Sequence, residues 1–276
     1  MSFHAEIWEI LNAGSPNEKI EKFAKFYAKF CKNEVEFEPN FEPKPLENPS
    51  YAKFAQISQV KDIKIQNKNL KKQNVDKNAL FLHSVAHIEY SAIDLALDAC
   101  YRFAGLPREF YADWLEAAED EVRHFSLVNA ELEKTGFSYG DFSVHDGLFE
   151  ALKKTQHSLI ERMAVVPRHL EAGGLDANFY LLSHIDEMPD KRPLRPLLEM
   201  ILREEVSHVG KGDKWFKFEC DRLGVLPECF FEIVLKHYPK AFSTARIINE
   251  NARLKAGYSP KEIEKIKELQ AQNFTK

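Results

Sequence analysis

Two tetrapeptides in the sequence repeat one another: Glu121-Val122-Arg123-His124 and Glu205-Val206-Ser207-His208. On an α-helix a spacing of three puts a carboxylate and an imidazole on one face, within reach of a single metal ion. Each pair falls on an apolar helical stripe, where an unpaired charge is costly and a bound cation would compensate it. Upstream of each motif a lone glutamate interrupts another apolar stripe. These are Glu89 and Glu171, separated from the following motif by 32 and 34 residues.

Two helical hairpins, each giving one lone Glu and one Glu-x-x-His, supply the ligand set of dinuclear carboxylate bundles. The candidate metal ligands are therefore Glu89, Glu121, His124, Glu171, Glu205 and His208. Four carboxylates and two imidazoles suit two iron ions, or iron plus manganese, and balance two divalent cations. Zinc is also compatible, because spacing alone does not select the metal. A single Glu-x-x-His is more often a solvated surface pair; six such residues in register on four apolar stripes point instead to a metal site. Neighbouring Glu116, Asp120 and Glu204 fall off the stripes and read as solvated. His83 and His87 read by default as core or surface histidines, with a place at the entrance to the site as the alternative. Arg162 and Asp176 either orient ligands by hydrogen bonds or form a plain ion pair. No catalytic residue beyond the ligands is marked.

The elements that must position these residues follow from periodicity and caps. Asp76 is an N-cap for a helix running to Ala104, where Gly105 and Pro107 end it, with Leu82, Val85, Ala86, Glu89, Ile93 and Ala96 on one face. Pro107 opens a second helix, to about Thr135 with Gly136 as its stop, whose stripe holds Trp114, Ala117, Ala118, Glu121, His124, Phe125 and Val128. The short connection makes the two antiparallel neighbours. The polar connector 136–146 is long enough to run back along them. A third helix starts near Gly147, and Pro167 with Gly173-Gly174 is expected to make it irregular where Glu171 sits. The fourth presents Leu198, Ile201, Glu205, His208, Val209, Gly212 and Phe216 and stops near Gly224. Before this core, Ser15 caps a helix ending near Asn33, and Pro39, Pro43, Pro45 and Pro49 impose an extended strap. After it, Pro227 and Ser259-Pro260 start two further helices.

The 276 residues carry a net charge of −5 and are 44% hydrophobic and 29% charged, ordinary values for a globular protein. No general attraction to nucleic acid or anionic membrane follows. The lysine-rich run Lys61–Lys77 reads as a solvated connector, since no aromatics interleave with it for base stacking. Four scattered cysteines form no CxxC pair, which argues against a disulfide framework, a zinc ribbon or a rubredoxin-type site. Without a signal peptide or an apolar run of about 18 residues, a cytoplasmic protein with no membrane partner is expected.

The segments Ala86-His87-Ile88-Glu89, Asp120–Phe125, Val165–Ala172 with Gly174-Leu175-Asp176, and Glu205–Val209 followed by Lys214-Trp215-Phe216 give the chain a family resemblance. Over roughly Leu80 to Tyr238 it resembles the ferritin-like proteins grouped as domain of unknown function 455. That resemblance implies a four-helix core with a dinuclear metal site, and no particular reaction.

The expected fold is thus all-α: a ferritin-like four-helix bundle over 76–224, a helix and strap over 1–75 packed on it, and a helical extension over 225–276. The expected function is that of a dinuclear Fe/Fe or Mn/Fe metalloprotein, leaning to an oxygen-dependent oxidoreductase. It would act on an organic small molecule, draw on an electron donor, and have no nucleic-acid partner; a homodimer is left open. The alternatives are iron storage or peroxide detoxification, and a metal-binding scaffold without redox activity.

Overall fold

A computed structural model describes residues 2–38, 40–243 and 247–272. The fold is all-helical; among the described residues no β-strand forms, and one isolated parallel bridge joins Ile57 to Val144. No described helix is long and apolar enough to cross a membrane. The chain divides into two compact units, Met1–Lys153 and Lys154–Lys276.

In the first unit, α1 (Phe3–Leu11) and α2 (Pro16–Cys31) are capped by Ser2 and Ser15. The extended strap follows, with Pro39 outside the described residues. It crosses the end of a later helix, where Lys44 N–H donates to the Tyr101 hydroxyl (3.1 Å) and the Lys44 carbonyl accepts from Arg102 Nη1 (3.1 Å). The run read as a connector contains a helix, α3 (Val60–Lys72), none of whose residues is buried. Its lysines do face solvent, as expected; its helicity escaped the sequence reading because only four of its 13 residues, Val60, Ile63, Ile65 and Leu70, are apolar.

The centre of this unit is the hairpin of α4 (Lys77–Arg102) and α5 (Arg108–Glu133). Asp76 caps α4 by accepting from Asn78 N–H (2.8 Å). α1 packs on α4 and α2 on α5. The connector after α5 lies against the N-terminal half of α4. His83 Nε2 accepts from Gly140 N–H (3.0 Å) and Phe142 N–H (3.3 Å). One turn on, His87 Nε2 donates to the His145 carbonyl (2.6 Å), and its Nδ1 meets the Tyr139 hydroxyl (2.9 Å). Both histidines are buried anchors for the connector, which is the default reading of them. α6 (Gly147–Lys154) closes the unit.

The expected third helix is not continuous from Gly147. It restarts after a break as α7 (Leu159–Val165), with Ser158 as its N-cap. It then widens into a π-turn (Val166–Glu171) before α8 (Ala172–His184). The irregularity expected at Pro167 takes this form, because a proline has no N–H to donate and its ring opposes the carbonyl four residues back. α9 (Arg195–Leu223) packs against α7, the π-turn and α8, and ends on Gly224 in the left-handed conformation (φ 68°). Gly212 of α9 lies under Pro167: a Cβ at 212 would stand 2.2 Å from the proline Cβ. α10 (Cys229–His237) covers α7. α11 (Glu250–Lys255), absent from the sequence reading, sits on α8 and α9, and α12 (Pro260–Gln272) packs on α11.

Candidate metal centre

Glu89 comes from the middle of α4, and Glu121 and His124 from the middle of α5. All three are buried, with 5%, 3% and 0% of their surface exposed. The helical period that buries Ala86, Ile93, Trp114, Ala118, Phe125 and Val128 also turns these three polar groups inward. His124 Nδ1 lies 3.3 Å from Glu89 Oε2 and 3.5 Å from Glu121 Oε2. One donor atom from each of the three falls within 4.8 Å of the others. Bonds of about 2.1 Å to one metal place neighbouring donors about 3.0–3.4 Å apart, close to the two His124–Glu separations of 3.3 and 3.5 Å.

The electrostatics point the same way. Burial pushes the Glu89 carboxyl up to about 7, against the lowering effect of its hydrogen bond to His124. Burial also works to lower the His124 pKa, but hydrogen bonds to Glu121 and Glu89 outweigh it and raise the imidazole to about 11. Two carboxylates removed from water favour a positive charge between them, which a proton or a divalent cation can supply. Oxygen and imidazole donors are those of iron, manganese and zinc sites. The buried Glu/His cluster is therefore able to hold a metal ion.

In the second unit the other motif has the same local geometry. His208 is buried, and its Nδ1 lies 3.6 Å from Glu205 Oε1 of the preceding turn, with Glu205 half-buried. Glu171 is half-buried at the last position of the π-turn, the element that packs on α9.

Asp120 pairs with Arg123 of its own helix, and Glu116 is exposed. Glu204 lies 4.0 Å from Arg203. Asp176 accepts from Arg253 Nη2 (2.6 Å) and from Asn249 N–H (2.8 Å), and so ties α8 to α11. Arg162 is fully buried and donates from Nε to Thr155 Oγ1 (2.7 Å) across the break before α7. Sequence reasoning missed the supports around the π-turn, namely Arg168, Asp213, Arg253, Tyr258 and Glu262. Their contacts with Arg168, Ala172 and Asp176 join residues 45 to 94 positions apart, so no local pattern marks those contacts, although Glu262 also caps α12 with Ser259.

Residues 12–264 match the family described as "Protein of unknown function (DUF455)". The chain belongs to this family. An uncharacterized protein of Haemophilus influenzae is similar to this DUF455 protein, being 40% identical over 200 residues, which is 70% of this chain and 68% of the relative. No solved structure matches. Both motifs and both lone glutamates lie inside the matched segment of the DUF455 chain.

Proposed function

We propose that this protein is a ferritin-like dinuclear metalloprotein. In this reading Glu89, Glu121, His124, Glu171, Glu205 and His208 hold two iron ions, or iron and manganese, at the heart of a four-helix bundle spanning 76–224. The observation that carries it is the buried trio Glu89, Glu121 and His124, whose donor atoms stand at the spacing of ligands to one ion. The equal spacing inside the second motif supports the other half of the set.

The favoured activity is an oxygen-dependent oxidation of a small organic substrate. When bound, the metal pair supplies the electron transfer to dioxygen. The chain supplies the rest. Its carboxylates neutralise the metal charge, and His124 gives up its extra proton to solvent as the metal enters. The apolar side chains of α4 and α5 keep water from the ligands, which strengthens every charge interaction among them.

The test is the metal content of protein purified from cells grown with iron and manganese, beside Glu121→Ala and Glu205→Ala. The expected result is about two ions per chain, lost in both variants. Protein without metal, or with metal indifferent to both changes, would overturn the proposal. Oxygen consumption independent of peroxide by the loaded protein separates the oxidoreductase from a storage or peroxide-removing protein.

A further inference from the structure

The π-turn that ends in Glu171 is gripped by a segment some 90 residues further along the chain. Within the turn, the Ala172 N–H reaches back to the Pro167 carbonyl, the wide hydrogen bond that distinguishes a π-turn from an α-helix. Two carbonyls around it accept side-chain donors. The Tyr258 hydroxyl donates to the Arg168 carbonyl, and Arg253 Nη2 donates to the Ala172 carbonyl (3.2 Å).

The Arg168 side chain is held by the same segment. It is fully buried, with its guanidinium 4.5 Å from the centres of the Phe216 and Phe230 rings and 4.8 Å from that of Tyr258. Its Nη2 lies 2.6 Å from Glu262 Oε1, and its Nε 3.0 Å from Asp213 Oδ1. Glu262 is itself fixed at the start of α12, where its Oε2 accepts from Ser259 N–H (2.8 Å) and Ser259 Oγ accepts from Glu262 N–H (3.2 Å). Surrounding a buried guanidinium with three rings and two carboxylates is costly to assemble and leaves it one orientation.

The position of this grip matters because a π-turn contains one residue more than the α-helical turn it replaces. If it reverted to α-helix, residues beyond the insertion would rotate by about 100°, the angle of one residue, and Glu171 would leave its face. We infer that Tyr258, Arg253 and Glu262, acting on Arg168 and Ala172, form a positioning clamp that holds the π-turn and thereby aims the Glu171 carboxylate. The inference rests on the reading of Glu171 as a metal ligand. The clamp residues are positioning residues, and the C-terminal helices are the part of the molecule that sets the geometry of this ligand.

The test uses the full chain loaded with cobalt(II), whose visible absorption reports the ligands around the ion. Wild type, Glu171→Ala and Tyr258→Phe are compared by cobalt titration, absorption spectrum and far-ultraviolet circular dichroism. Tyr258→Phe keeps the ring on Arg168 and deletes only the hydroxyl. Expected are a cobalt affinity weaker by about tenfold and an absorption band displaced toward that of Glu171→Ala, with helix content unchanged. A wild-type spectrum and affinity for Tyr258→Phe, beside an altered Glu171→Ala, would overturn the clamp. A wild-type spectrum for Glu171→Ala would instead overturn the assignment of Glu171, and the clamp with it. Should Tyr258→Phe not fold, Arg253→Lys is read by the same measures, since one ammonium cannot serve both Asp176 and the Ala172 carbonyl in the way the guanidinium does.

Discussion

Glu89 and Glu121 share an imidazole, whereas other buried acids of this protein face permanent cations. Asp94 pairs with the fully buried Lys19, Asp98 with Arg102, and Asp176 with Arg253. An imidazole completes an ion pair only when protonated, and the two carboxylates keep His124 protonated at pH 7. The cost of burying a carboxylate shows in Glu89, which burial pushes up to about 7, as burial also raises Asp94 beside Lys19. Glu89→Gln removes that cost, so we expect the metal-free variant at pH 7 to be no more than about 1 kcal/mol less stable than wild type. Its metal affinity is expected to fall by tenfold or more. Urea denaturation in chelator and a metal titration measure the two effects. A large loss of metal-free stability would show that Glu89 serves the fold instead.

Among the elements, the connector 136–146 shows how one side chain can fix a length of chain. It has no periodicity, and His83 holds it by accepting two of its backbone N–H groups on one nitrogen. A protonated ring has no lone pair there, and burial of the ring pushes the His83 pKa from 6.5 down to about 4. Between these values the unfolded chain binds a proton that the folded one refuses, so stability is complete above pH 6.5 and falls as the pH drops toward 4. The total loss is on the order of 3 kcal/mol at about 1.4 kcal/mol per unit. Urea midpoints between pH 7 and 4.5 are therefore expected to fall less steeply in His83→Gln than in wild type. Equal slopes would show that His83 does not carry this dependence.

For the whole molecule, metal binding and folding are linked. Any ion bound by the folded chain and not by the unfolded one stabilises it in proportion to the logarithm of its excess over the dissociation constant. At a thousandfold excess this amounts to about 4 kcal/mol, a rise of about 10 °C in the unfolding midpoint of a chain this size. Calorimetry of the protein before and after chelation is expected to show that rise, and its loss in Glu121→Ala. A midpoint unmoved by chelation would mean that the Glu/His cluster contributes nothing to stability through metal. The charge distribution belongs to the same scale: α3 collects Lys61, Lys64, Lys68, Lys71 and Lys72, all exposed, in a chain whose net charge is −5.

Local residue patterns were enough to mark α4, α5 and α9 and the local form of the donor pairs. Caps and breakers act over a few residues, so Ser15, Asp76, Pro107 and Gly224 carry their meaning wherever the rest of the chain goes. The same holds for Glu121 with His124, and Glu205 with His208, because a spacing of three sets their geometry before any packing occurs. α1, α3 and α11 were not legible, since short or predominantly polar helices owe their stability to context. The folded chain brings Glu89 to His124 from different helices, which no stretch of sequence states. It alone also decided that His83 binds a loop, and that Pro167 produces a π-turn over Gly212 rather than a kink. The grip of Tyr258 and Glu262 on Arg168 was hidden for the same physical reason. Contacts between distant residues depend on the whole path of the chain, and no local pattern records them.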